Sequence, residues 1–278
     1  MGNLVEQVVQ HVRSRSTGGP IAPDLPVTLN FHPDVFLGGQ TTMERLASEG
    51  VYRSQFETGT SNGGLTAYIG GSRWLWERDL FGMVYDEAER ALRPKYGALN
   101  YRADPVGGSR RFGSCHIRLK PHMMGRTTFC YPDSHMHPEN FGVADRMALI
   151  ALANRNAQGL DLLDDYIEAH VHGLLLIAED VEAVVLDPGY RGTPVEAHAQ
   201  SLPCKVEWHE GFRLFADSLA DCEAYRGGEV AKALSRLLVD EAVTPRDIGA
   251  ARAAGLDPQL AKQAWHCVAR FGHHASEP

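Results

Sequence analysis

Two short stretches alternate strictly between apolar and polar residues, and a chain that carries them has to build a sheet. In "GSCHIRLK" a period of two puts Cys115, Ile117 and Leu119 on one face and His116, Arg118 and Lys120 on the other, as in a half-exposed strand. In "DDYIEAHVHG" the same period sends Ile167, Ala169 and Val171 inward and Tyr166, Glu168, His170 and His172 to the opposite face. Further strands are expected at 27–31, in "VYRSQF" from Val51, in "RPKYGALN", in "RTTFCY" as a neighbour of the 115 strand, and at 181–187 and 204–210. Helical spacing predicts an N-terminal amphipathic helix over 2–15 and a Thr-capped helix in "TTMERLASEG" that stops at Gly50. Helices are also expected in "SRWLWERDLFG", "VYDEAERAL" and "GVADRMALIALANRN". From Ala216 the texture is wholly helical, with Thr-Pro and Asp-Pro helix starts. The strands are too irregularly separated for a repeating βαβ series. The fold class is therefore α+β, with a mixed or largely antiparallel sheet in a body over 1–215 and a helical unit over 216–278.

Charge and cysteine usage narrow the function. With 27 Lys and Arg against 35 Asp and Glu, the net charge of −8 offers no general attraction to nucleic acid or to anionic lipid, so any nucleotide site must be local. Five cysteines with no CxxC pair fit neither a disulfide framework nor a zinc knuckle and indicate a reducing compartment. The N-terminus lacks the apolar block of a signal peptide, position 6 is Glu6 where a myristoylation signal needs Ser or Thr, and no apolar run is long enough to span a bilayer. The expected location is cytoplasmic, or inside a host cell after delivery by a route that needs no cleavable signal.

The candidate chemistry lies in two places. Arg53 in "VYRSQFETGTSNGG" is followed by Ser54, Gln55, Thr58, Thr60, Ser61, Asn62, Gly63 and Gly64, a run of small donors suited to a phosphate or a sugar, while Arg53 would supply bidentate charge. The Asn-Gly-Gly equally suits a turn. On the 166–172 strand, Glu168 is the carboxylate that could stabilise a developing oxocarbenium ion, although a wet strand edge has the same pattern. The phosphate loop, the dinucleotide fingerprint, the nucleophile elbow and the HExxH zinc motif are all absent. His135 and His137 form a loop pair with no third ligand that spacing nominates, and Cys115 and Cys130 fall on apolar strand faces.

Taken together and in order, "VYRSQFETGTSNGG", "RPKYGALN", "RFGSCHIRLK", "RTTF", "YIEAHVHG" and "VEAVVLDPGYRGTP" resemble a bacterial family to which the CteC-type threonine ADP-ribosyltransferase effectors are similar. The resemblance covers roughly 27–210 and leaves the helical tail outside. It implies two packed, mostly antiparallel sheets around a cleft that binds NAD as substrate, with no metal. Arg53 resembles the first-strand arginine that holds the NAD phosphates, with Ser54, Gln55, Thr60, Ser61, Asn62 and Gly63 beside it. "RTTF" is similar to the strand that shapes the nicotinamide pocket, giving Thr127 or Thr128 a scaffolding role. "YIEA" resembles the closing Glu motif, making Glu168 the catalytic carboxylate, and Tyr96 and Asn100 are placed against the nicotinamide ring and its carboxamide. His32 in "NFHPD" is a rival for the first-strand position. The family's arginine-modifying members carry Glu or Gln where this chain has Tyr166, which favours a hydroxyl acceptor such as threonine, with ubiquitin as a candidate protein, or water. The implied activity is a mono-ADP-ribosyltransferase; the alternatives are an NAD glycohydrolase and a non-catalytic nucleotide- or partner-binding module.

Overall fold

The computed structural model describes residues 2–59, 66–156 and 159–272. Its centre is an eight-stranded mixed sheet formed by β1 (Val27–Phe31), β2 (Lys95–Leu99), β3 (Cys115–Leu119), β4 (Thr127–Tyr131), β5 (Asn140–Val143), β6 (Ile167–Val171), β7 (Val181–Leu186) and β8 (Lys205–Trp208). The spatial order is β8-β7-β3-β1-β2-β6-β4-β5, antiparallel throughout except for the parallel β7–β8 pair at one edge. Two two-stranded ribbons complete the strands among the described residues. The α+β class is therefore as expected, whereas the two packed sheets are replaced by one large sheet.

Alternation holds in register. Ile167, Ala169 and Val171 pair with Leu99, Gly97 and Lys95, and Leu29 pairs with Ile117, so one face is almost wholly apolar. That face packs on α2 (Thr42–Glu49), α4 (Leu149–Asn156) and α5 (Pro194–Gln200) through Met43, Leu46, Leu149, Ala153, Val195 and Ala199. The opposite face carries Asn30, Tyr96, His116, Thr128, Cys130, Glu168 and His170. It is not the wet edge that alternation implied: Glu168, His170 and Thr128 are all buried. The cover comes from α1 (Gly2–Ser14), α3 (Ser72–Phe81) and the turn that follows α3, where Val8, Val12, Leu80, Phe81 and Tyr85 close over Cys130, Phe141 and Val143.

The C-terminal helices α6 (Leu219–Arg226), α7 (Gly228–Arg236), α8 (Pro245–Ala253) and α9 (Pro258–Phe271) share a second apolar cluster with Phe212 and Leu214, and it also draws in Val106 and Leu163 from the body. Asp257 caps α9 by accepting from the Gln259 and Leu260 amides, and Thr244 and Asp247 form a capping box on α8. Gly249 on α8 lets the Asp34 side chain lie against the helix, because a Cβ there would sit 1.8 Å from Asp34 Oδ2 and any larger residue would require that side chain to move.

Four local expectations fail for readable reasons. "VYRSQF" is not a strand: Val51 makes a single bridge to Leu176, and Ser54 caps a short helix at Gln55–Thr58 with Glu57 answering in a capping box. "VYDEAERAL" is turns and a short 3-10 segment, because α3 ends at the left-handed Gly82 and Met83 follows with positive φ. The first part of "GVADRMALIALANRN" belongs to β5 and a turn, and only 149–156 is helical. Finally, "RTTFCY" pairs with β5 and β6 rather than with the 115 strand, a pairing that local pattern does not encode.

Candidate functional site

A groove of about 670 Å³ opens where β1 ends and β2 begins, with Asn30, Phe31, Tyr96 and Gly97 on its floor and Glu168 at its inner end. One wall is α2 and the segment after it, including Arg45, Glu49, Arg53 and Gln55. The other wall is α8 and α9, with Ile248, Arg252, Lys262 and Trp265. The helical tail is thus part of the groove. Seven basic and four acidic side chains line it, against 27 and 35 in the whole chain, so its local field favours an anionic ligand although the protein is acidic. Its volume lies in the usual range for small-molecule and cofactor sites, roughly 300–1,000 Å³.

Glu168 is held from several sides. His170 Nε2 lies 2.8 Å from Oε1, the Ser134 amide donates to Oε2 at 3.4 Å, and the Cys130 thiol is 3.9 Å from Oε1. Burial alone would raise its carboxyl, but the His170 hydrogen bond and charge, the Arg73 charge and the Ser134 side chain outweigh burial and hold it below the usual carboxylate range. The carboxylate is therefore ionised, buried and within reach of the groove. Behind it, His170 Nδ1 meets Thr128 Oγ1 at 3.2 Å, Thr128 meets His172 Nε2 at 2.9 Å, and His172 Nδ1 meets the Tyr85 hydroxyl at 2.8 Å. The Phe81 ring stands edge-on to both histidines. This chain fixes the His170 ring and, through it, one oxygen of Glu168.

Beside Glu168 sits Arg73, from α3, which motif reading did not nominate. It is 9% exposed, with its guanidinium 4.3 Å from the Tyr96 ring centroid and 4.8 Å from that of Trp76. One terminal nitrogen reaches Ser134 Oγ at 3.4 Å, while Nε has no partner. Two more groove residues bury polar atoms with no partner, Gln55 at Oε1 and Ser109 at Oγ. Buried polar atoms are normally satisfied, so three orphans in one groove mark it as built to receive polar groups of a ligand. Tyr96 is fixed from behind, since its hydroxyl donates to Glu77 at 2.9 Å and Glu77 is paired with Arg93 at 2.6 Å. Burial pushes the Glu77 carboxyl up to about 7 despite Arg93, Tyr96 and Arg73.

The sequence-predicted residues separate into three groups. Arg53, Gln55, Tyr96 and Glu168 all line the groove, and so does His32, edge-on to Trp265 at 4.8 Å and driven down to about 3 by burial and the Arg252 charge. Arg53 lies on the outer part, 38% exposed and paired with Glu49 and Glu57 at 2.6 and 3.2 Å. Three residues do not join the site. Ser54 is spent on the capping box and on a 2.7 Å bond to the Arg90 carbonyl. Asn100 closes a loop with Asp104 and lines a separate cavity of about 140 Å³. Thr127 pairs with Val171 on the apolar side and donates to the Met123 carbonyl; its neighbour Thr128 lies opposite His170 on the face that carries Glu168. Thr60, Ser61, Asn62 and Gly63 lie outside the described residues.

Cys130 and His170, in contrast to Arg73, stood in quoted strands, but their approach to Glu168 depends on the β4–β6 register, which pairs Cys130 directly with Glu168. No helix among the described residues is long and apolar enough to cross a membrane. No curated protein matches the chain significantly. A family model matches residues 26–157 and 147–270, nearly the whole of the sheet and the helical tail, and the chain belongs to that family, described as protein of unknown function DUF3626.

Proposed function

We propose that the protein is a mono-ADP-ribosyltransferase that cleaves NAD at the nicotinamide–ribose bond and passes ADP-ribose to a hydroxyl on a protein, threonine being the candidate side chain. The observation that carries this reading is the Glu168 carboxylate, buried at the inner end of a cation-lined groove beside a guanidinium with an unmet donor. The resemblance of the sequence blocks to a bacterial family similar to the CteC-type threonine ADP-ribosyltransferase effectors points the same way; the sheet topology does not, because a single large sheet replaces the expected pair.

In this reading Arg73 takes the inner phosphate role first given to Arg53, since a buried planar fork with a free Nε–H grips a pyrophosphate oxygen better than an exposed one already shared by two glutamates. Arg53 guards the outer end, and Gln55 Oε1 accepts from a sugar hydroxyl or the carboxamide. Glu168 steadies the ribose as the C1′–N bond breaks and nicotinamide leaves with the bonding pair. The acceptor oxygen then forms the new bond to C1′, and its proton passes to Glu168 and on to solvent.

Incubation of the full chain with NAD and candidate acceptors, ubiquitin among them, followed by intact-mass analysis and assay of free nicotinamide, tests the proposal. An acceptor heavier by one ADP-ribose supports it. Nicotinamide released with all ADP-ribose free in solution would establish the glycohydrolase instead, and NAD left intact under every condition would remove the enzymatic reading.

A further inference from the structure

We propose that Cys130, Glu168 and His170 form a binding site for a zinc-type divalent ion at the inner end of the groove, and that the bound ion takes Glu168 out of service. The site would therefore switch the reaction off. The inhibitory half rests on the NAD reading above; the binding half does not.

The geometry is set by the sheet. Cys130 and Glu168 are direct partners across β4 and β6, and His170 follows Glu168 on the same face, so the three side chains converge on one side of two adjacent strands. Cys130 Sγ lies 3.9 Å from Glu168 Oε1 and 3.8 Å from His170 Nε2, and these two atoms are 2.8 Å apart. Zinc bonds of about 2.0–2.3 Å in tetrahedral array place ligand atoms roughly 3.3–3.6 Å apart. The two sulfur distances need to close by a few tenths of an ångström, and the nitrogen–oxygen pair, now a hydrogen bond, needs to open by about half an ångström. Small side-chain rotations provide both.

The donor set selects the ion. One thiolate, one imidazole and one carboxylate suit a borderline-soft transition ion and are poor for calcium or magnesium, which require oxygen ligands. Three protein ligands leave a fourth position, and Glu168 reaches the groove, so that position is filled from the groove side. The outer partners are also in place: with its Nδ1–H donating to Thr128 Oγ1, His170 presents Nε2 to the ion. Thr128 then donates to His172 Nε2, and His172 donates from Nδ1 to the Tyr85 oxygen, so the chain runs in this sense from His170 to the tyrosine.

Charge balances. Binding requires the Cys130 sulfur and His170 Nε2 to be free of protons, so whatever proton either atom carries is released to solvent, and the two charges of the ion face the thiolate and the Glu168 carboxylate. Glu168 then bonds the metal through Oε1, and its negative charge is shared with the ion instead of being offered to a developing ribose cation. The nearby Arg73 charge opposes the ion, so the affinity is expected to be that of an exchangeable site rather than a permanent one.

The test uses the full chain freed of metal, titrated with cobalt(II) as a spectroscopic stand-in and with zinc against a chromophoric chelator. Expected are one equivalent bound, a near-ultraviolet thiolate-to-cobalt band, and loss of that band with a drop in zinc affinity on the order of 10²-fold in Cys130→Ser, whose circular dichroism should match the parent. Retention of the band in Cys130→Ser, or absence of binding in the parent, would overturn the site. For the inhibitory half, nicotinamide release is measured with and without zinc: the parent should be silenced and restored by chelator, while Cys130→Ser should keep its own zinc-free rate. Zinc stimulation would contradict that half. If neither protein cleaves NAD without metal, the enzymatic reading fails while the cobalt band still decides the site.

Discussion

The two faces of the eight-stranded sheet are both buried, yet they are built from opposite chemistry. One is a continuous apolar layer in which Leu29, Ile117, Phe129, Ile167 and Val184 lose almost all their exposure. The other sinks Asn30, His116, Thr128, Glu168 and His170 nearly as deeply; Thr128, His170 and Glu168 bond one another in a chain, Asn30 is held by the Val106 and Gly113 carbonyls, and His116 Nδ1 is left without a partner. Apolar burial contributes stability without direction, at about 25 cal/mol per Å². A buried polar network contributes little net stability but holds each group in a single orientation, which is what a reacting site needs. The contrast predicts that the two faces fail differently when cut.

The largest loss of stability should come from the apolar face. Phe129→Ala removes a fully buried ring from the main cluster and should cost about 3–5 kcal/mol in denaturant unfolding, while nicotinamide release per folded molecule is unchanged. Glu168→Gln is its mirror image. It should lower nicotinamide release on the order of 10²-fold and leave the unfolding midpoint nearly where it was. If Glu168→Gln unfolds the protein and keeps its turnover, the polar face is structural and the division made here is wrong.

Acid should distinguish the faces next. Burial and neighbouring cations drive His116 and His32 down to about 3, so both are neutral when folded. Below about pH 6.5 the unfolded chain takes up protons that the folded chain refuses, so the stability they contribute is complete above 6.5 and is lost as pH falls toward 3. Each group contributes a slope of about 1.4 kcal/mol per pH unit in that window. His116→Leu should flatten the acid limb by that amount; an unchanged slope would mean that His116 is protonated in the folded state. The smallest effect is expected at Arg73→Leu, with KM for NAD raised about tenfold and a small net change in stability, since the unmatched Nε donor is removed together with a charge that offsets the burial of Glu168.

Much of the sheet was legible because alternation is local: the 115 and 167 strands show their two faces in the sequence alone. The "VYRSQF" strand was misassigned although the signal was present, since Ser54 with Glu57 three residues on is a capping-box pattern that begins a helix. Glu168 is indicated by alternation and by the family resemblance, and Tyr96 by the resemblance alone; in the structure both lie on one face of adjacent strands and line the groove. Arg73, Cys130 and Trp265 were not nominated for a different reason. Their contribution depends on which strand lies beside which, and on α3 and α9 folding over the sheet, neither of which a local pattern encodes.

The central claim is that Arg73 and Glu168 grip opposite parts of one dinucleotide, and a crystal structure with an inert NAD analogue tests it most directly. The account predicts pyrophosphate oxygens within hydrogen-bond distance of Arg73 Nε and the nicotinamide ribose hydroxyl on Glu168. An analogue bound away from both side chains, or a groove left vacant at saturating concentration, would contradict it.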